Sequence, residues 1–150
     1  MIKLSKLTDY ASVLLAVMAR HPHMRWAAHE LAEQTKVPKP TCVKVLKLLT
    51  RAGLLVSAQG AQGGYALARP ASEIPVKAII EAIEGRLAIT ECGTDEQLCK
   101  MTDHCSIMSR WRELGDRVNA MLTEVSLADL VSPTQLQDRS HDRIAARQIV

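Results

Sequence analysis

Between Lys39 and Leu67 the chain changes its hydrophobic period twice, and this change limits the folds open to it. Cys42, Val45, Leu46 and Leu49 recur at i, i+3, i+4 and i+7, the stripe of one helical face. Pro40 suits the first turn of that helix, and Gly53 is the usual residue just past a helix end. Residues 54–56 then read as a short strand, 59–64 (Gln-Gly-Ala-Gln-Gly-Gly) as a hairpin tip, and 65–67 as the return strand. Just upstream, residues 27–35 carry a helical pattern with Leu31 and Ala32 inward, and Lys36-Val37-Pro38 makes a tight turn. Helix, turn, helix and glycine-rich hairpin, in that order, predict a winged helix-turn-helix. The outer side of the second helix bears Lys39, Thr41, Lys44 and Lys47, side chains that reach phosphate oxygens and base edges. Cys42 lies on the inward face and reads as core.

The rest of the chain extends a mainly α fold. Thr8 and Asp9 mark the start of a first helix, whose apolar face is Tyr10, Val13, Leu14, Val17 and Met18 and whose end is near Arg20. Pro75 opens a helix with Ile79, Ile80 and Ile83 inward, stopped by Gly85. Further on, Ile107, Trp111, Leu114, Val118, Met121 and Val125 are spaced 4, 3, 4, 3, 4, the a/d seam of a coiled coil. A seam this narrow wants a partner helix; it could pack on its own domain, but its regularity favours self-association, so a long helix over 107–131 is expected to join two copies of the chain. Residues 132–150 are polar, mixed in charge and without period, and read as a flexible tail. The expected division is therefore 1–85 for the winged helix, 86–106 for a loop, 107–131 for the dimerisation helix and 132–150 for the tail.

Composition narrows the partner. Residues 1–69 hold ten Lys/Arg against three Asp/Glu, whereas 70–150 hold nine against thirteen. A basic N-terminal half on a nearly neutral protein suits a polyanion, with an ordinary solvated basic face as the alternative; it is the helix-turn-helix pattern that makes double-stranded DNA the expected partner. No run approaches 18 apolar residues, and the apolar stretch 13–19 has helical periodicity and no cleavage site. A cytoplasmic protein, off the membrane, is expected. With no Phe, two Trp and two Tyr, its core must be built from aliphatic side chains.

Cys92, Cys99 and Cys105 fall in one polar, glycine-containing segment, separated by six and five residues. Among Asp, Glu, Lys, Thr and Gln they are poor core material, and three thiols cannot pair off as disulfides. Soft thiolates so spaced can converge on one metal centre, although the spacing is too wide for a zinc knuckle. Redox thiols and incidental exposed cysteines are the alternatives.

The opening Lys-Leu-Ser-Lys-Leu-Thr-Asp-Tyr-Ala, the Ala52-Gly53-Leu54 helix exit, Gly63-Gly64-Tyr65-Ala66-Leu67-Ala68-Arg69-Pro70 and the three cysteines before a long helix resemble the Rrf2 family of IscR/NsrR-type transcription regulators. The resemblance runs in order over about residues 1–131, and the opening is most similar to the branch that regulates SUF iron–sulfur assembly genes. It implies a homodimeric winged-helix DNA-binding regulator, a repressor by class, whose iron–sulfur cluster is held by Cys92, Cys99 and Cys105. A 4Fe–4S cluster is slightly favoured over 2Fe–2S. Where the IscR branch has a ligating His three residues after the last cysteine, this chain has Met108, a poor substitute. In the NsrR branch an Asp of the N-terminal Thr-Asp motif, from the other subunit, completes the site, and Asp9 matches it; His104 is the local competitor.

A palindromic operator follows, with half-sites about one helical turn apart. Lys39, Pro40, Thr41, Lys44 and Lys47 would enter the major groove. Gln59, Gly60, Gln62, Gly63 and Gly64 would lie on the neighbouring minor groove, the glycines letting backbone approach backbone. Two other readings stay open: a zinc-stabilised winged-helix protein with no sensing role, and a thiol redox enzyme. The second lacks a Cys-x-x-Cys pair or a nucleotide fingerprint, so the chain is expected not to be an enzyme.

Overall fold

The computed structural model describes residues 3–90 and 105–132. In chain order it contains α1 (Lys6–Arg20), α2 (Ala28–Thr35), α3 (Lys39–Arg51), β1 (Leu55–Ala58), β2 (Gly64–Leu67), a 3-10 turn (Ala71–Glu73), α4 (Val76–Glu84), α5 (Met108–Glu124) and α6 (Leu127–Val131). The fold is the expected one, mainly α with a small antiparallel hairpin. No helix among the described residues is long and apolar enough to cross a membrane.

α1 begins earlier than its Thr-Asp pair suggests. Ser5 is the N-cap, its hydroxyl accepting from the Thr8 N–H at 3.4 Å. Thr8 is thereby one turn inside the helix and is buried, while Asp9 faces solvent. The inward stripe is Thr8, Ala11, Leu14, Leu15 and Met18. Val13, expected inward, is 45% exposed, and Tyr10 and Val17 only flank the core. The stripe is rotated because an alanine and a threonine, too small or too polar to count in a hydrophobic pattern, allow the close packing of α1 on α3, α4 and α6.

α2 and α3 make the helix-turn-helix. Glu30 reaches back to the Ala27 N–H at 2.7 Å to close the first turn of α2. Lys36 ends that helix in the left-handed region at φ 61°, a conformation that costs an L-residue roughly 1–2 kcal/mol and lets the chain reverse in three residues. In α3, Cys42, Val45, Leu46 and Leu49 are all fully buried, as their spacing requires. Each such large aliphatic side chain contributes about 1.5–3 kcal/mol on burial. Leu14, Leu15, Met18, Leu31, Ile74 and Ile79 complete the same core from α1, α2, the residue that follows the 3-10 turn and α4.

β1 and β2 pair with Leu55 opposite Leu67 and Ala58 opposite Gly64. A third segment joins them, since Trp26 exchanges two backbone hydrogen bonds with Tyr65, at 2.9 and 2.8 Å. The wing is thus anchored by the stretch that precedes α2.

The single helix expected over 107–131 is two. α5 ends at Glu124, Val125 is extended, and Ser126 caps α6 in a reciprocal bond with Asp129. The break is held by the rest of the fold: Val76 N–H donates to Val125 O and Leu127 N–H to Ile74 O, both at 2.8 Å. Leu127 is fully buried in the core, not an extension of the seam.

Candidate nucleic-acid interface and cysteine centre

α3 separates two chemistries cleanly. Behind it, Cys42 is fully buried and its Sγ donates to the Ala28 carbonyl at 3.4 Å. Burial pushes its thiol pKa up, which disfavours the thiolate a metal would need and agrees with a core role. In front, Lys39, Pro40, Lys44 and Lys47 are exposed and Thr41 is half-buried. The helix contains no Asp or Glu, and none of the three lysines has an ion-pair partner among the described residues. The result is a row of solvated positive charge on a rigid rod, suited to phosphate oxygens and guanine edges.

Gln59, Gly60 and Gln62 are exposed at the wing tip. The glycines there do not share one purpose. Gly60 has φ +102° and open space where a Cβ would stand, so its demand is purely conformational. A Cβ on Gly63 would collide with the Ala58 carbonyl oxygen, and one on Gly64 (φ +126°) would lie 2.8 Å from the Trp26 carbonyl oxygen. Close approach of backbone to backbone is therefore required within the hairpin at Gly63 and against the Trp26 segment at Gly64. Only Gly60 is left as a glycine whose missing side chain faces outward.

Of the proposed metal ligands, Cys92 and Cys99 lie outside the described residues, as does His104. Cys105 is a free, half-buried cysteine just before α5. Asp9 lies on the outer side of α1, in an open depression of about 490 Å³ lined by Lys3, Leu4, Ser5, Lys6 and Asp9. Its carboxylate has no partner among the described residues. Nearby, at the start of α1, Glu84 of α4 accepts the Ser5 N–H at 2.9 Å and the Thr8 hydroxyl. The Ser5 side chain first, then the Thr8 hydroxyl and the Ser5 N–H, hold the Glu84 carboxyl below the ordinary glutamate range.

α5 has no buried residue, although α4 packs against it. Ile107, Trp111, Leu114 and Met121 are 56, 39, 45 and 57% exposed, an apolar outer face. Val118 is half-buried, alongside Met108, Gly115, Asn119 and Leu122 on the other side, and Val125 lies past the helix end.

Residues 4–133 match the Rrf2 family, described as an iron-dependent transcriptional regulator. The chain belongs to the Rrf2 family. It is 31% identical over 119 residues to the HTH-type transcriptional regulator IscR of Photorhabdus laumondii, covering 79% of this chain and 69% of that one. The protein rrf2 of Nitratidesulfovibrio vulgaris is 28% identical, with 90 and 91% of the two chains covered. Against IscR of Serratia proteamaculans, 32% identical, the chain spans only 62% of the relative's length. Among solved structures, CymR, the global cysteine regulator of B. subtilis, is similar at TM-score 0.68 and 26% identity, covering 90% of this chain and all of that one. IscR of T. potens is similar at TM-score 0.62 and 25% identity, covering 99 and 93%. The Rrf2 family is one of transcriptional regulators, not enzymes.

For an Rrf2 chain two features here carry weak sequence signals. Trp26 breaks no pattern and announces no strand, yet it anchors the wing. Glu84 leaves a faint mark: a carboxylate in the last turn of a helix, against the usual dipole preference.

Proposed function

We propose that this chain is a homodimeric DNA-binding transcription regulator whose operator affinity reports the state of an iron–sulfur cluster, and that SUF-type iron–sulfur assembly genes are its targets. The observation that carries the DNA part is α3, with four residues wholly buried on one face and Lys39, Lys44 and Lys47 unopposed on the other. Two such helices, joined through the outer face of α5, would read the two halves of a palindrome.

The donor set suits the cluster. Cys92, Cys99 and Cys105 would hold it, with Asp9 of the other subunit closing the site. Lys3 and Lys6 beside Asp9 would offset the negative charge that three thiolates and a carboxylate bring. When bound, the cluster supplies an iron centre that oxidants or iron shortage dismantle. Asp9 sits on the first helix of the reading head and Cys105 at the root of α5. Joining them across the dimer would fix the angle between the two heads, and half-site spacing tolerates little change in that angle.

The test is anaerobic purification followed by the visible spectrum, with iron, sulfide and zinc assayed on one sample. Brown protein with near-stoichiometric iron and sulfide, lost in Cys105→Ser, is the expected result. Colourless protein that carries zinc and takes up no cluster on reconstitution would leave the DNA-binding reading standing and remove the sensor.

A further inference from the structure

We infer that Lys36 is a further DNA-backbone contact, held in a strained conformation so that a positive charge stands at the corner between α2 and α3. The inference rests on the DNA-binding reading above and is independent of the cluster. Among the described residues φ is positive at four glycines, Gly53, Gly60, Gly64 and Gly85, and at one other position, Lys36, where it is 61°. Glycine or asparagine would adopt this backbone at little cost, whereas a lysine is opposed by its own Cβ.

The turn gives the lysine no way to relax. On one side the Thr35 hydroxyl donates to the Leu31 carbonyl at 2.6 Å and accepts the Val37 N–H at 3.4 Å. On the other, Val37 is 4% exposed and belongs to the core. Lys36 itself is exposed, and no side-chain hydrogen bond or ion pair among the described residues offsets the strain. Strain of this kind is retained where a side chain serves binding. Three residues on, Lys39 opens the exposed basic face of α3, and three trans peptides keep the two Cα atoms within about 11 Å. Lys36 therefore extends the row of Lys39, Lys44 and Lys47 past the start of the helix, where the DNA backbone borders the groove that α3 would enter. A local explanation competes: the carbonyl end of α2 attracts a cation, and its last turn has no basic residue. The two differ in sign. A lysine that serves α2 lowers the melting temperature when it is removed, and one that serves DNA raises it.

The experiment follows binding of the full chain to a labelled mixed-sequence duplex of about 30 base pairs across a salt titration, since phosphate contacts dominate binding without sequence preference. Thermal melts of the free protein run alongside. Lys36→Gly and Lys36→Asn are each expected to melt about 2–4 °C above the parent. Both are also expected to lower the slope of log affinity against log salt by about 0.9 for each head on the duplex, roughly eight-fold in affinity at about 0.1 M salt. Lys36→Arg, which keeps charge and strain, is expected to keep the parent's slope. Lys77→Ala removes a lysine of α4 that pairs with Glu81 at 3.7 Å; it controls for net charge and should leave the slope unchanged. Glycine and asparagine variants that keep the parent's slope, or that melt no higher than the parent, would overturn the inference. So would a slope for Lys77→Ala as shallow as theirs. A lowered slope for Lys44→Ala in the same assay would then leave the DNA reading standing. A parent that fails to bind the duplex at low salt would remove both.

Discussion

At the scale of single residues the wing is decided by backbone contact. Gly64 is constrained twice, by φ +126° and by the Trp26 carbonyl 2.8 Å from where a Cβ would sit. Gly64→Ala is expected to destabilise the apoprotein by about 2–4 kcal/mol. Gly60→Ala, strained but unobstructed, should cost about 1–2 kcal/mol. Urea denaturation of the two variants measures the difference. The sequence marks all three glycines as turn residues and does not rank them, because the ranking depends on Trp26, a residue distant in the chain. Glu84 gives a second residue-scale outcome. Its folded pKa is depressed by the Ser5 and Thr8 hydrogen bonds, so the folded protein binds fewer protons at this group than the unfolded chain does. The stability it contributes is present above the ordinary glutamate pKa of about 4.3 and is lost as pH falls through the lower folded value. Thermal melts from pH 6 to about pH 3 should show a shallower acid loss for Glu84→Gln than for the parent.

At the scale of elements, periodicity was informative where one face alone is buried. α3 is the clearest case, since its four inward residues sit in a row of polar ones and every one is fully buried. α1 misleads because Ala11 and Thr8 do structural work that a hydrophobic count ignores. α5 and α6 read as one helix because apolar residues continue through Val125 and Leu127; the break needs α4 and Ile74, whose backbone groups take up the hydrogen bonds at the corner. Cys92, Cys99 and Cys105 are legible in the sequence as a group of soft donors, whereas Asp9 enters only through the family resemblance, since nothing in its spacing ties it to residues so far along the chain. For α3 the DNA reading makes a quantitative demand. Lys44 is exposed, and removing its charge should leave the core untouched. Lys44→Ala is expected to lower the slope of log affinity against log salt by about 0.9 if it meets a phosphate. An unchanged slope in a salt titration of operator binding would take Lys44 off the backbone.

At the scale of the whole molecule, the described chain buries its core in the reading head and leaves one large apolar surface on α5. Ile107, Trp111, Leu114 and Met121 hold 39 to 57% of their surface in solvent while α4 covers the other side of the helix. Aromatic and aliphatic side chains exposed at heptad spacing are stabilised by a second copy, and charge placed among them opposes that association. Trp111→Glu combined with Leu114→Glu should therefore yield a monomer by analytical ultracentrifugation. Neither residue is buried in the single chain, so the melting temperature of the head should stay within a few degrees of the parent, where about 1 kcal/mol corresponds to 2–8 °C. The monomer still carries α3 and the wing and should bind DNA weakly at low salt. Without its partner head it loses the second half-site, and affinity for a palindromic operator should fall by about 100-fold or more. A double variant that remains dimeric would move the interface off α5. One that becomes monomeric yet keeps full operator affinity would show that a single head suffices, and the proposal that cluster state sets the angle between two heads would then have nothing to act on.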